Sequence, residues 1–176
     1  MATLINTNDF INQYAIAGGT FTDGTLLEFI NAIETEMLYK LFGKTMADLF
    51  LADSSGGAPA DPLYVVLYDA IQLSAYSGGA YYNQEYFEDY SSGMVEMLKA
   101  FVYTTYNQRA NVSATIDGNK NLTTSVSTIL SGFNHYYANI YNKGVANYKV
   151  IQQYICENIE DYPDYDGRIL NYSDGL

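Results

Sequence analysis

The sequence predicts an all-α protein, a helical bundle of about four to five helices with a long arm or β-hairpin inserted between the last two long helices. Two observations support this prediction. Apolar residues recur at steps of three and four along several segments, which is the pattern of a helix with one buried face. A polar stretch, residues 111–127, separates the last two of these segments, and loops of this length commonly carry a function.

Length and charge narrow the function classes. The chain has 176 residues, enough for a single domain (1–176) whose core is stable without disulfide bonds or a structural metal ion. Its net charge of −12, from 20 acidic and 8 basic residues, repels phosphate and anionic lipid. No apolar run approaches the roughly 20 residues of a membrane-spanning helix, and the N-terminus, MATLINTNDF, lacks a secretory signal. We therefore expect folding in the cytoplasm and no direct binding of nucleic acid or membranes.

Residues 7–16 favour a short first helix. Asn6 or Thr7 would cap it, since the side chains of both residue types accept hydrogen bonds from free backbone amides. Two adjacent glycines, Gly18 and Gly19, would end it.

A long second helix is predicted between Asp23, as its cap, and Gly43, as its stop. One consistent apolar stripe runs along it. The stripe consists of Leu26, Ile30, Ile33, Met37 and Leu41.

The next segment is broken by a loop. Residues 45–51 favour one or two more helical turns, and residues 53–60, rich in Ser, Gly, Ala and Pro, form a loop. Asp61 followed by Pro62 predicts a new helix, because aspartate caps free amides and proline suits the first helical position. Its apolar positions are Leu63, Val66, Leu67, Ala70 and Leu73.

Residues 77–92 interrupt the helical pattern and are a loop or a short helix, followed by Ser91 or Ser92 as the cap of the next helix. The chain has 19 tyrosines and no tryptophan. Tyrosine offers a wide amphipathic surface and is enriched in protein interfaces, although a codon bias would raise its count equally well.

Two long helices are predicted on either side of the polar stretch. In residues 93–109, the apolar face consists of Met94, Leu98, Phe101 and Thr105. In the second helix, Gly144 is a candidate for a bend. The stripe of that helix consists of Phe133, Tyr137, Ile140, Gly144, Tyr148, Ile151, Ile155 and Ile159.

The polar stretch between these helices has the features of a β-hairpin. Residues 112–116 and 122–126 are rich in threonine and β-branched residues, and Asp117-Gly118-Asn119 between them has turn chemistry. After the last helix, Pro163 begins an acidic tail, residues 163–176, that could meet a basic partner or simply be solvated.

No motif indicates catalysis, a cofactor or a metal site. The chain has one histidine, His135, and one cysteine, Cys156, so the His and Cys clusters that hold zinc or iron are missing. No nucleophile motif accompanies His135. Residues 164–167 resemble a fragment of a calcium loop, but the remaining ligands are absent. We therefore predict that the protein is not an enzyme and uses no cofactor.

The order of these parts resembles a known family. The segments GMVEMLKAFVYTTYNQRANV, ATIDGNKNLTTSVS and NHYYANIYNKGVANYKVIQQYICEN are similar to the C-terminal half of head-to-tail connector (adaptor) proteins of tailed bacteriophages. The segments LLEFINAIETEMLYKLFG and DPLYVVLYDAI are similar to the first half. The resemblance covers about residues 25–162 and is closest to connectors of Bacteroidetes-infecting phages, including the crAss-like group.

This resemblance implies a virion structural protein at the neck, made in the cytoplasm of the bacterial host. About twelve copies would form a ring that docks on the phage portal protein and on another neck or tail ring protein. Genomic DNA would pass through the ring without specific binding, since an acidic wall does not hold it.

Three sets of contact residues are predicted, the arm and the C-terminal segment from the resemblance and the tyrosine cluster from the enrichment of tyrosine in protein interfaces. The arm would contact the portal or neighbouring subunits through Asn111, Thr115, Ile116, Asp117, Asn119, Lys120 and Leu122. Candidates for contacts between subunits are Tyr81, Tyr82, Tyr86 and Phe87. C-terminal docking would use Tyr165, Ile169, Leu170 and Tyr172.

The alternative is a small cytoplasmic helical ligand-binding domain or enzyme. It would use the cluster of aromatic and acidic residues at positions 81–89, with Glu85, Glu88 and Asp89 as its carboxylates.

Overall fold

The structure, a computed structural model, describes residues 3–16, 23–54, 57–73, 90–110, 112–115, 118–121 and 130–168. Within these residues the chain forms a helical bundle with a hairpin between its last two helices, which confirms the predicted fold class. The helices are α1 (Asp23–Phe42), α2 (Lys44–Asp53), α3 (Pro62–Tyr68), α4 (Met94–Ala110) and α5 (Leu130–Glu157). The strands are β1 (Ile71–Gln72), β2 (Tyr90–Ser91), β3 (Val112–Thr115) and β4 (Gly118–Asn121).

Helix α1 is close to its prediction. All five residues of its apolar stripe are buried, and it ends before Gly43, whose φ of 78° separates α1 from α2. The predicted cap is shifted, since Asp23 is the first residue of the helix rather than the residue before it. Helix α2, at 10 residues, is longer than the predicted one or two turns, because Met46, Ala47 and Phe50 continue the buried face.

Helix α3 begins as predicted and ends early. The Asp61 side chain accepts a hydrogen bond from the Leu63 amide at 2.9 Å, and Pro62 occupies the first helical turn. The prediction that the helix continues to Leu73 is wrong. Asp69 is extended, and β1 pairs antiparallel with β2, so that Ile71 lies opposite Ser91. This pairing joins residues distant in sequence, which helical periodicity does not reveal.

Helix α4 lies at the centre of the bundle and packs on α1, α3 and α5. The single buried face predicted for it is too narrow, because the helix is buried nearly all round. Thr104, outside that face, is buried, and its hydroxyl donates to the Ala100 carbonyl at 2.7 Å. Gly93, rather than Ser91 or Ser92, precedes the helix, and the Ser91 hydroxyl accepts a hydrogen bond from the Gly93 amide. The buried residues of α4 are Met94, Met97, Leu98, Ala100, Phe101, Val102, Tyr103, Thr104 and Tyr106.

Helix α5 packs along α4. Its predicted stripe is buried from Tyr137 to Ile155, but the prediction is wrong at Ile159, which follows the helix and is exposed. Phe133 lies within α5, with its side chain outside the described part of the structure. At Gly144 the two helices approach closely, since a Cβ there would lie 3.1 Å from the Ala100 Cβ.

The N-terminal segment is not the predicted helix. Residues 3–16 form two 3₁₀ turns, Thr7–Asp9 and Asn12–Tyr14. Asn6 does cap the first turn, in a capping box with Asp9. Asn12 has a φ of 55°, which interrupts helical geometry. Four side chains of the segment reach the core, namely Leu4, Ile5, Phe10 and Tyr14.

Candidate functional site

The arm is a β-hairpin at one end of the α4/α5 pair. Strands β3 and β4 pair antiparallel, with Val112 opposite Asn121 and Thr115 opposite Gly118. The predicted hairpin is therefore confirmed, but its second strand is β4 rather than residues 122–126, which lie outside the described residues. In this register Gly118 and Asn119 lie in β4, so the prediction that they form the turn is wrong.

Tight packing of α4 on α5 positions the hairpin. The rings of Tyr103 and Tyr137 lie 5.8 Å apart between centroids. Near the other end of α4, the Ser92 amide donates to the Asn147 side chain at 2.8 Å. Later residues of α4 thus contact earlier residues of α5, so the two helices run antiparallel. Because β3 begins directly after α4, the hairpin is carried by this antiparallel pair.

The predicted arm residues fall into two groups. Thr115, Asn119 and Lys120 lie in the strands, and Lys120 pairs with Ser113 in the register. The other predicted contacts, Asn111, Ile116, Asp117 and Leu122, lie outside the described residues, as do Tyr81, Tyr82, Tyr86 and Phe87 and the whole 81–89 cluster.

The C-terminal segment is attached to the body, which its prediction as a docking tail did not anticipate. The Asp166 amide donates to the Phe42 carbonyl at 3.0 Å, and the Arg168 amide donates to the Lys40 carbonyl at 2.7 Å. The last carbonyls of a helix have no partner within it. The segment therefore caps the C-terminus of α1.

Tyr148 joins this segment to the core. Its side chain is fully buried, and its hydroxyl lies within hydrogen-bonding distance of the Lys40 carbonyl, at 2.7 Å, and of the Arg168 carbonyl. Burial raises the pKa of Tyr148 well above its usual range, so the hydroxyl keeps its proton and can donate it. The side-chain amide of Gln152 also donates to the Tyr165 hydroxyl and to the Arg168 carbonyl.

Of the four predicted docking residues, Tyr165 packs against the protein's own core and is only partly exposed. Its hydroxyl accepts the Gln152 hydrogen bond at 2.7 Å. The remaining three, Ile169, Leu170 and Tyr172, lie outside the described residues. Up to Arg168, this segment is therefore part of the chain's own packing.

Glu34 on α1 is a buried carboxylate that the sequence analysis missed. It is 3% exposed and accepts hydrogen bonds from the Leu4 amide at 3.0 Å and the Ile5 amide at 3.3 Å. Burial raises its pKa to about 7, although these hydrogen bonds oppose the shift. A signal was present, because Glu34 follows Ile30 by four residues and precedes Met37 by three, which places it on the buried stripe.

The N-terminal segment has a second anchor at Tyr14. The Tyr14 ring packs edge-on against Tyr103 at 6.0 Å, and the Lys99 ammonium lies 5.4 Å from the Tyr14 ring centroid. The Tyr136 hydroxyl donates to the Gln13 carbonyl at 2.8 Å. Like the C-terminal segment, residues 3–16 thus belong to the packed body.

A second surface lies at the end of the bundle opposite the hairpin. The Tyr162 hydroxyl, beyond the end of α5, donates to the Leu63 carbonyl on α3 at 3.0 Å. Exposed apolar and acidic side chains lie on both of the segments that this contact joins. We name this surface the acidic pole: Asp61, Leu63, Val66, Ile159, Asp161 and Asp164.

The described residues were also compared with the requirements of a metal site and of a membrane span. They contain no group of three His, Cys, Asp or Glu side chains placed to hold a metal ion. None of their helices is long and apolar enough to cross a bilayer. Cys156 and His135 are both exposed.

Comparison of the chain with protein-family models, with curated proteins and with solved structures finds no match in any of the three.

Proposed function

We propose that this protein is a structural subunit of a tailed-bacteriophage virion, a head-to-tail connector at the neck. About twelve copies form a ring that docks on the portal and continues the DNA channel toward the tail. The observation that carries the proposal is the hairpin held at the end of two tightly packed antiparallel helices. This is a rigid body with one projecting segment, as the resemblance to connectors implies.

The hairpin favours a role in assembly for an energetic reason. Two strands alone are marginally stable in water, and their outer edges leave backbone amides and carbonyls unpaired. A hairpin of two four-residue strands therefore gains stability when a neighbouring protein covers it or pairs with an edge. The α4/α5 pair positions it before contact, which lowers the entropy lost on binding.

The charge of the chain fits a channel for DNA. A surface with a net charge of −12 provides few cations to neutralise phosphates, so DNA passing through a ring of such subunits meets little attraction. Ring closure itself needs heterologous contacts, in which one face of a subunit meets a different face of the next.

Native mass tests this proposal. The purified protein is measured alone and after mixing with the portal protein encoded in the same genome. A complex carrying about twelve copies per portal ring is the expected result. A persistent monomer that ignores the portal protein would overturn the proposal.

A further inference from the structure

The backbone hydrogen bonds of the N-terminal segment, residues 3–16, are local. The Asp9 amide donates to the Asn6 carbonyl and the Ala15 amide to the Asn12 carbonyl, both at 3.1 Å. The C-terminal segment differs, because its amides bind carbonyls of α1. Among the described residues, detachment of the N-terminal segment therefore breaks no backbone–backbone hydrogen bond to the helices, and the segment can open separately from them.

One end of the N-terminal segment is anchored on α4 and α5. The Tyr136 hydroxyl on α5 donates to the Gln13 carbonyl at 2.8 Å. The Lys99 ammonium on α4 lies over the Tyr14 ring and pairs with Glu96 on the same helix. The charges at this end of the segment are therefore balanced within α4.

The other end is anchored by a buried carboxylate. Glu34 on α1 accepts hydrogen bonds from the Leu4 and Ile5 amides. It is 3% exposed and belongs to none of the ion pairs among the described residues. Burial raises its pKa to about 7 and outweighs the two amides, which favour the ionised form.

The titratable groups near Glu34 do not offset its negative charge. Tyr68 on α3 lies within electrostatic range of Glu34, since burial raises the pKa of Tyr68 and the charges of Asp69, Asp9 and Glu34 raise it further. These neighbours, on the segment and at α3, are acidic. Ionised Glu34 is therefore better stabilised in water than in this site, and water reaches it when the segment moves away.

We propose that the N-terminal segment is a releasable strap, and that ionisation of Glu34 detaches it while the helices stay folded. Detachment exposes the apolar side chains of the segment and the part of the core that they cover. These side chains are Leu4, Ile5, Phe10 and Tyr14. The inference goes beyond the connector function, because it concerns the chain by itself and is tested without any partner.

The direction of the pH dependence follows from the two states of Glu34. Attached, the carboxyl loses its proton only as the pH rises through about 7, whereas its ordinary pKa is 4.5. Detachment therefore releases a proton between these values and becomes more favourable by up to about tenfold per pH unit. Between pH 5 and pH 8 the total expected change is roughly 50-fold.

Hydrogen exchange of the full chain from pH 5 to 8 tests the proposal, with rates corrected for the intrinsic effect of pH on amide exchange. The Leu4 and Ile5 amides are compared with the amides of residues 101–104 in the buried helix α4. We expect the Leu4 and Ile5 amides to exchange at least about tenfold faster than those of α4, and their protection to fall roughly 50-fold from pH 5 to 8. Equal protection in the two regions would mean that the segment opens only with the whole bundle, which would overturn the proposal.

Two variants identify the group that titrates. Glu34→Gln keeps an acceptor for the Leu4 amide and should remove most of the pH dependence of exchange in the segment. Tyr136→Phe removes the hydrogen bond to Gln13 and should speed exchange by about threefold to tenfold at every pH, with the pH dependence retained. The same pH dependence in Glu34→Gln as in the wild type, or its loss in Tyr136→Phe, would overturn the assignment to Glu34.

Discussion

The hairpin and the C-terminal segment both extend from the ends of long helices, and both were predicted to reach a partner. In the structure they differ. The hydrogen bonds of β3 and β4 join the two strands to each other, beyond the end of α4. The amides of Asp166 and Arg168, by contrast, bind the last carbonyls of α1. The hairpin is thus attached at the end of the helical bundle, whereas the C-terminal segment is part of the bundle's own packing.

The difference shows what decides whether a segment that follows a helix is available to bind a partner. Helix α1 ends with carbonyls that need donors, and residues 166–168 provide them. The hairpin pairs its own backbone groups, and among the described residues no third strand pairs with its edges. We therefore expect changes at the C-terminal segment to alter stability, and changes at the hairpin to alter assembly.

The largest expected effect is at Tyr148. Tyr148→Ala should lower the free energy of unfolding by about 3–5 kcal/mol, because it leaves a cavity and removes the contact with Lys40 and Arg168. Tyr148→Phe should cost about 1–2 kcal/mol, since it removes only the hydroxyl. Urea unfolding measures both values. Equal losses for the two variants would mean that the hydroxyl alone accounts for the effect.

Glu34 should make attachment of the N-terminal segment depend on pH, unlike attachment of the C-terminal segment. Its pKa rises from 4.5 to about 7 on folding, so the folded state binds more protons between these values. Its contribution is therefore fully present below pH 4.5 and is lost as the pH rises through about 7. The loss amounts to at most about 3 kcal/mol.

The matched variant is Glu34→Gln, which keeps an acceptor for the Leu4 amide but does not titrate. Thermal unfolding from pH 4 to 8 measures the difference in stability between the two proteins. The other groups titrate alike in both, so they do not contribute to this difference. We expect the wild type to lose stability relative to the variant as the pH rises. A constant difference between the two curves would contradict the shifted pKa.

A substitution at Gly43, the residue after α1, tests the contact between the end of α1 and the C-terminal segment. Gly43→Ala should cost about 1–3 kcal/mol, because φ is positive there and a Cβ would lie 2.9 Å from the Asp166 Cβ. Gly57→Ala is the control, since no atom lies within 4 Å of a Cβ there. Chemical denaturation should show little loss for the control. Equal losses would argue against a close contact with Asp166.

The smallest effect on stability is expected at the hairpin. Replacing residues 112–121 by a short Gly/Ser linker should change the free energy of unfolding by less than about 0.5 kcal/mol, because β3 and β4 pair with each other. Denaturant unfolding measures this value. A large loss would mean that the hairpin contributes to the core, and would remove the contrast with the C-terminal segment.

Local pattern predicted much of this fold. The stripe from Leu26 to Leu41, the Asp61-Pro62 start of α3 and the presence of a hairpin after α4 each depend on neighbouring residues, and each has its counterpart in the structure, although Gly118 lies in β4 and not in the predicted turn. The pairing of β1 with β2 could not be predicted in this way, because it joins distant segments.

The same limit applies to the interaction surfaces. The capping of α1 by residues 166–168 and the acidic pole both form only when separate parts of the chain meet. Glu34 is different, because its position on the buried stripe was visible in the sequence. Its partners were not, since the amides of Leu4 and Ile5 lie about 30 residues earlier and approach it only in the folded chain.

The most direct test of the account compares the native mass of the wild type with that of the variant whose residues 112–121 are replaced by a linker, each mixed with the portal protein of the same genome. We predict that the wild type forms a complex of about twelve copies, while the variant remains a folded monomer with an unchanged melting temperature. A variant that assembles as well as the wild type would contradict the assignment of assembly to the hairpin.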